Sequence, residues 1–171
     1  MKNIFRQFSS FIVPVLMTTI LPLLIVQRER HSPSLVLASS PFLWIIGPII
    51  FLAGLLLFII TVPVFIRIGN CTIMPWYPTR KLVTVGVYRY VRNPMILSVL
   101  LLLVGESLLF ASYGISALAI LFFVINSIYF VYSEEPGLEQ RFGEEYREYK
   151  CNVPRWIPRR KPWHPLESEV S

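Results

Sequence analysis

Residues 41–66 form a run of 26 residues without a charged side chain. As a helix this run would extend about 39 Å, more than the roughly 30 Å hydrocarbon core of a bilayer requires. Pro48 and Pro63 within it predict kinks or frayed ends. Gly47 and Gly54 stand seven residues apart, so they predict a stripe on which a second helix packs closely. A run of this kind strongly favours a membrane-embedded fold.

Three further apolar runs accompany it, at residues 11–26, 95–110 and 113–132. Only Ala111-Ser112 separates the last two, and so short a connection predicts an antiparallel helical hairpin. Hydrophobic residues make up 54% of the 171-residue chain, and its mean hydropathy is +0.59, too apolar for an ordinary soluble domain. We therefore predict an all-α polytopic membrane protein, one domain over residues 1–171, with about four transmembrane helices, a C-terminal helical hairpin and a tail helix.

The first apolar run has a second interpretation. Its 16 residues would span about 24 Å as a helix, slightly less than the hydrocarbon core, and Lys2 and Arg6 precede it as in a signal peptide. However, the charged residues at 27–31 would be an unusual approach to a cleavage site. We favour a retained first span; without it, three spans would remain.

Basic residues are distributed unevenly around these spans. Fourteen of the sixteen lie before residue 11, within 67–93 or after residue 132, and only Arg28 and Arg30 lie on the other side. The positive-inside rule then places both termini, the loop 67–94 and the tail 133–171 in the cytoplasm. The same charge suits anionic lipid, so we expect no nucleic-acid partner.

Cysteine and histidine are scarce. Cys71 and Cys151 are too few for a disulfide framework, and their cytoplasmic placement predicts free thiols. His31 and His164 lack metal-ligand spacing, so we expect no metal site.

The loop 67–94 is long for a connector, and its aromatic and proline residues argue against disorder. One interpretation is an interfacial belt, with aromatic rings at the headgroups and arginines on phosphates. The other starts from Arg92-Asn93-Pro94, where Asn93 can cap the following helix and Pro94 suits its first turn. With Arg89 and Arg92 nearby, this helix start could bind a lipid phosphate or the carboxylate of a methionine moiety.

Acidic residues provide two further candidates. Glu134 and Glu135 repel each other unless a cation binds or one of them is protonated. Arg141 or a basic loop residue could neutralise them. Alternatively, they could bind the amino group, the ribose hydroxyls or the sulfonium of a ligand. Glu106 lies within a span. Burying a carboxylate in the membrane costs free energy, so Glu106 is a functional candidate. It either reaches the far interface or faces the bundle, where Asn126 would be its partner.

The tail contains a predicted helix over 137–150, with four apolar or aromatic side chains near one face: Leu138, Phe142, Tyr146 and Tyr149. It is either a surface helix with ion pairs or a lid over a cytoplasm-facing pocket. Prolines prevent a continuous helix beyond it. Trp156 and Trp163, set among basic residues, suit the lipid interface.

Residues 41–160 resemble a family of integral membrane methyltransferases that includes isoprenylcysteine carboxyl methyltransferase and phosphatidylethanolamine N-methyltransferase. The resemblance rests on a string before the hairpin, an acidic pair after it and a tail motif: Gly86, Tyr88, Arg89, Tyr90, Arg92, Pro94, Met95, Glu134, Glu135, Arg141, Phe142, Gly143, Tyr146 and Tyr149. The sequence departs from the pattern in having Asn93 for the usual His, Ile96 for Tyr and Ser98 for Gly. The Asn-Pro-Met and Glu-Glu-Pro strings resemble the phospholipid branch more than the prenylcysteine branch.

The resemblance implies S-adenosylmethionine as cofactor and a membrane lipid or lipidated substrate that enters from the bilayer. It implies a cofactor site made of seven residues: Tyr88, Arg89, Arg92, Asn93, Pro94, Glu134 and Glu135. An amine acceptor must lose a proton, for which Glu135 or Glu106 is the candidate base. A carboxylate acceptor needs a cation to orient it, for which Arg89 or Arg92 is the candidate. The residue types leave both acceptors open.

Two other functions are compatible with the sequence. One is an NADPH-dependent enzyme similar to sterol reductases, although this chain lacks their many additional spans. The other is a non-catalytic scaffold whose arginines bind headgroups and whose acidic pair binds the tail. A soluble Rossmann-type methyltransferase is excluded because the sequence has neither alternating strands nor a glycine-rich turn.

Overall fold

The computed structural model describes residues 16–29, 41–69 and 82–164. These segments are predominantly helical, and no β-strand occurs among them. The predicted all-α class is therefore confirmed for this part of the chain. Cys71 and His31 lie outside the described residues, as do the loop aromatics Trp76 and Tyr77.

Five α-helices occur in the described segments: α1 is Leu21–Glu29, α2 is Pro41–Gly69, α3 is Pro94–Leu109, α4 is Tyr113–Tyr129 and α5 is Glu135–Asn152. A π-helical turn, Leu16–Ile20, precedes α1, and another, Phe130–Glu134, joins α4 to α5. A 3₁₀ turn, Gly86–Arg89, lies in the loop before α3. The tail helix is longer than the predicted 137–150 and bends at Gly143, where φ is 52° and ψ is −125°.

Helices α2 and α3 pack together through glycine. A Cβ added at Gly105 would lie 2.6 Å from the backbone nitrogen of Phe51, and one at Gly54 would lie 2.9 Å from the backbone nitrogen of Leu102. A Cβ at Gly47 would lie 3.1 Å from the backbone nitrogen of Leu109. The two backbones can approach this closely only because these side chains are absent. The predicted close-packing stripe at Gly47 and Gly54 is confirmed.

Helices α3 and α4 form the predicted hairpin. Its tight connection includes Ala111, at a φ of 48°, and Ser112, whose side chain accepts a hydrogen bond from Ile115 N at 3.1 Å. This is an N-cap contact of the usual serine type. Leu103 of α3 and Ile115 of α4 are fully buried at the centre of the apolar core between the helices. The hairpin sets the loop before α3 and the residues after α4 at the same end of the molecule.

Helix α1 is joined to the hairpin by packing and by a buried carboxylate. Met17, Ile25 and Val26 pack against the core of α3 and α4. Glu29, only 5% exposed, accepts a hydrogen bond from Gly114 N in the first turn of α4 at 2.7 Å. A carboxylate is favourable there because a helix N-terminus has unpaired N–H groups and partial positive charge.

Two helical stretches are long and apolar enough to cross a membrane: Pro41–Phe65, and the continuous stretch Tyr113–Asn152, whose first half carries the apolar residues. The apolar helix Pro94–Leu109 is shorter. Many large apolar side chains of α2 and α4 point outward, as expected of helices that face lipid. Four spans, and the orientation inferred from charge, remain predictions.

Candidate functional site

The loop before α3 is bound to the tail through its main chain. Arg92 N donates to Pro154 O at 2.9 Å, Arg159 N donates to Tyr90 O at 2.9 Å, and Trp163 N donates to Arg89 O at 3.0 Å. The Tyr149 hydroxyl donates to Tyr88 O at 2.7 Å in a buried position. Because the loop contributes only backbone groups to these four contacts, they hold it in place without using its arginine side chains.

An apolar and aromatic cluster supports this junction. Four buried residues form its centre, with three partly buried ones around them: Tyr146, Tyr149, Val153 and Trp163, then Leu82, Leu138 and Phe142. The predicted shared face of the tail helix is therefore confirmed. The prediction that Trp163 lies at the lipid interface is wrong: it is 7% exposed, with its ring 5.5 Å from that of Tyr149. The non-helical residues after α5 turn it inward, which local sequence pattern does not reveal.

Glu135 is the centre of a charged cluster. Arg92 Nη1 lies 2.9 Å from its Oε1, and Arg155 approaches the same oxygen with Nη2 at 2.6 Å and Nε at 2.7 Å. Lys150 Nζ lies 3.3 Å from Oε2. The Glu135 side chain is only 6% exposed. Such a buried carboxylate is tolerable because three cations surround it and charged hydrogen bonds satisfy its oxygens.

Tyr146 completes this cluster. Arg92 Nη1 donates to its hydroxyl oxygen at 3.4 Å. Burial, reinforced by the nearby Glu135 charge, raises the pKa of Tyr146 to about 12. The phenol therefore stays neutral at physiological pH and remains a hydrogen-bond donor at the edge of the charged cluster.

Glu134 has a different environment from Glu135, although the two are adjacent in sequence. Successive helical residues point about 100° apart, and Glu134 is turned toward Tyr129, whose hydroxyl donates to Oε2 at 3.3 Å. Burial raises the pKa of Glu134, while the Tyr129 hydrogen bond and the Arg141 charge partly oppose this shift. Glu134 therefore differs from Glu135 in that its hydrogen bond among the described residues is with a neutral hydroxyl, whereas Glu135 contacts three cations.

Two buried arginine atoms in the loop have no hydrogen-bond partner among the described residues. Arg89 Nε and Arg92 Nε form no hydrogen bond with any residue that the structure describes. A buried N–H without an acceptor is costly, and at the start of α3 these donors suit an anionic group. Together with Glu134 they offer binding groups of both signs, as an amino acid zwitterion requires.

Asn93 and Pro94 stand at the start of α3 as predicted, but Asn93 acts differently. Pro94 occupies the first helical position and is buried. Asn93 is at the N-cap position, yet its side chain makes no capping hydrogen bond; only its carbonyl is used, accepting from Leu97 N at 3.0 Å. The prediction that its side chain caps the helix is wrong. Its ψ of 58° lies outside the extended range usual for a capping residue.

Glu106 does not join the other candidate residues. It stands twelve residues beyond Pro94 on α3, so it lies about 18 Å farther along the helix axis. It is 7% exposed, and its Oε2 finds no partner among the described residues. Asn126 donates to Phe122 O at 2.8 Å within its own helix. The predicted pairing of Glu106 with Asn126 is wrong, because the antiparallel hairpin sets them near opposite ends.

Sequence reasoning missed the role of Arg155 and Lys150. Both were assigned only to the basic charge of the tail, whereas the structure brings both to Glu135. Lys150 stands fifteen residues from Glu135 on the same bent helix, and Arg155 lies beyond the helix end. Neither spacing gives a local signal that would have identified the contact.

A family model described as phospholipid methyltransferase matches residues 42–145 of the chain. The match covers more than half of the 171 residues. It includes the loop, the hairpin and both Glu134 and Glu135, and it ends before Lys150 and Arg155. A search of curated proteins found no match.

Proposed function

The chain belongs to the phospholipid methyltransferase family, and we propose that it transfers a methyl group from S-adenosylmethionine to a membrane phospholipid at the cytoplasmic face. The observation that carries this proposal is the meeting of the arginine loop and the acidic residues at one end of the hairpin, shown by the 2.9 Å contact between Arg92 and Glu135. Both residues belong to the segment that the family model matches, with Arg92 near its middle and Glu135 near its C-terminal end.

The residues at this end of the molecule suit S-adenosylmethionine. Its carboxylate would meet the Nε atoms of Arg89 and Arg92, which have no hydrogen-bond partner in the described part of the chain, and its amino group would face the Glu134 carboxylate. Tyr88, Asn93 and Pro94 would shape the site through the backbone at the start of α3. When bound, this cofactor supplies a methyl group whose bond to a cationic sulfur breaks, with both bonding electrons staying on the sulfur.

We propose that the acceptor is an amine headgroup. The new bond forms from the nitrogen lone pair, so the ammonium must first release a proton. Glu106 is too distant to accept that proton, and both oxygens of Glu135 already contact cations. In this proposal Glu134 already faces the amino group of the cofactor and accepts from the Tyr129 hydroxyl, so the proton of the acceptor ammonium passes to water at the membrane surface rather than to a carboxylate. Arg92 and Glu135 then act by holding the loop and tail around the site.

A non-catalytic scaffold remains a second candidate because of one observation. Glu135 binds Arg155 and Lys150 of the tail, which is the contact expected if the acidic pair served only to hold the tail. A scaffold would give no function to Glu134 or to the Nε atoms of Arg89 and Arg92, which find no partner among residues 16–29, 41–69 and 82–164. Measuring whether the protein binds S-adenosylmethionine distinguishes a methyltransferase from a scaffold.

The first test is calorimetric binding of S-adenosylmethionine to the full chain in detergent with added phospholipid, followed by methyl transfer to phosphatidylethanolamine. Glu134→Gln should fold normally yet lose most of the affinity and the transfer. Glu144→Gln, whose carboxylate is 85% exposed, is the matched control and should behave as the unmodified chain. A folded protein that binds no S-adenosylmethionine in the presence of lipid would contradict the proposal and favour the scaffold. Binding of NADPH instead would favour the reductase.

A further inference from the structure

The segment after α5 carries an apolar group that no other part of the described chain covers. Ile157 is 79% exposed, although its neighbour Trp156 is partly buried. Pro154 and Pro158 flank the two residues and prevent a helix there. An exposed isoleucine alone needs no explanation, but this one stands beside an aromatic ring that packs against the hairpin.

Trp156 places the segment along the apolar part of α4. Its ring centroid lies 5.2 Å from that of Phe123 and 6.0 Å from that of Phe130. Phe123 stands eleven residues before Glu134, which corresponds to about 16 Å along the helix. Trp156 therefore lies on the apolar side of the charged cluster, and tryptophan is enriched where such a surface meets the membrane–water interface.

The main chain fixes this position. Pro154 O accepts from Arg92 N, and Arg159 N donates to Tyr90 O, each at 2.9 Å. The residues between them form a short loop held at both ends. Arg155, within that loop, binds Glu135 at 2.6 Å, so the loop cannot turn away from α4 without breaking the charged cluster.

Positive charge surrounds the exposed apolar group. Arg160 and Lys161 are exposed, and Arg159 is partly exposed. A partly buried aromatic ring, an exposed aliphatic side chain and adjacent basic residues at a span end are the combination that binds an anionic membrane surface. Each basic side chain near such a surface favours anionic lipid by about fivefold.

We propose that residues 155–161 are an interfacial anchor that inserts Ile157 and Trp156 into the bilayer and binds anionic phospholipid through Arg160 and Lys161. The occupant is lipid in the leaflet next to the Glu135 cluster. This inference does not depend on the proposed methyl transfer, because it concerns the outer surface of the tail and makes no use of the cofactor site.

The test uses the full chain reconstituted in phosphatidylcholine vesicles, with a minor fraction of lipid brominated high on its acyl chains. Trp156→Phe identifies the fluorescence of Trp156 by difference and keeps an aromatic ring against Phe123. We expect Trp156 emission to be quenched by the brominated lipid and protected from aqueous iodide. We also expect brominated phosphatidylglycerol to quench it severalfold more strongly than brominated phosphatidylcholine.

Two double variants then separate local charge from net charge. Arg160→Gln/Lys161→Gln and Arg28→Gln/Arg67→Gln each lower the formal net charge from +6 to +4, and all four side chains belong to exposed residues. Only the first should abolish the preference for phosphatidylglycerol. The inference is overturned if iodide quenches Trp156 while brominated lipid does not, or if the lipid preference is absent or lost equally in both variants. Protection from both quenchers would indicate a second copy of the chain on this surface, which also overturns it.

Discussion

Arg92 and Glu135 are 43 residues apart in the chain, yet their side chains form a 2.9 Å ion pair in which each is at most 10% exposed. The contact joins the loop before α3 to the first residue of α5. Arg155 and Lys150 bind the same carboxylate, so one acidic side chain connects loop, hairpin and tail.

Replacing Glu135 should therefore destabilise the fold. Glu135→Gln keeps the shape of the side chain but leaves Arg92 and Arg155 without a counter-charge, and breaking a buried pair in this way costs about 3 kcal/mol. We expect a clearly lower melting temperature in detergent by fluorescence-detected thermal unfolding. Glu144→Gln, which loses only a surface pair with Arg147, should unfold like the unmodified chain. Equal melting temperatures for the two variants would contradict the central role of Glu135.

Glu134 should make stability depend on pH. Its pKa is raised above the usual 4.5 by burial, so the folded state binds the proton more tightly than the unfolded state does. Proton binding to Glu134 therefore stabilises the folded state. This contribution is fully present below the pKa that Glu134 has in the unfolded state, and it is lost as pH rises through the pKa that it has in the folded state. The glutamine in Glu134→Gln does not titrate, so the melting temperature of this variant should increase relative to that of the unmodified chain as pH rises. A difference that is constant with pH would show that Glu134 titrates normally.

The Tyr149 hydroxyl should contribute measurably to the loop–tail junction. Tyr149→Phe removes its 2.7 Å hydrogen bond to Tyr88 O and leaves a buried carbonyl without this donor, which costs about 1–3 kcal/mol. Limited proteolysis should then cleave the tail after α5 faster. Tyr132→Phe, at a residue that is 79% exposed, is the control and should not change the cleavage rate. Unchanged cleavage in both variants would mean that the apolar cluster alone holds the tail.

Gly105 should not tolerate a side chain. In Gly105→Ala the new Cβ would lie 2.6 Å from Phe51 N and 2.7 Å from Phe51 Cα, so α2 would have to move as a unit at a cost of about 1–3 kcal/mol. We expect a lower melting temperature and less folded protein after detergent extraction. Gly137→Ala meets only the end of the Arg141 side chain, at 3.6 Å, and should be neutral. A stable Gly105→Ala variant would show that α2 and α3 can separate without loss.

The candidate site could be predicted only in part. The arginine loop and the acidic pair were identified because their residue types are unusual next to apolar runs, and the hairpin brings both to one end. The different contacts of Glu134 and Glu135 were not predictable, since the two residues are adjacent and chemically identical. It arises from the direction in which the helix points each side chain, toward Tyr129 in one case and toward Arg92 and Arg155 in the other.

The sequence by itself determined the helical class, the hairpin and the glycine stripe of α2. These follow from local properties: the length of an apolar run, the shortness of residues 111–112 and the spacing of Gly47 and Gly54. Only the tertiary structure decided that Trp163 is buried, that Glu106 and Asn126 stay apart, and that Arg155 binds Glu135. Those outcomes depend on helix register and on the path of a non-helical tail, which combine distant residues in ways that no local pattern encodes.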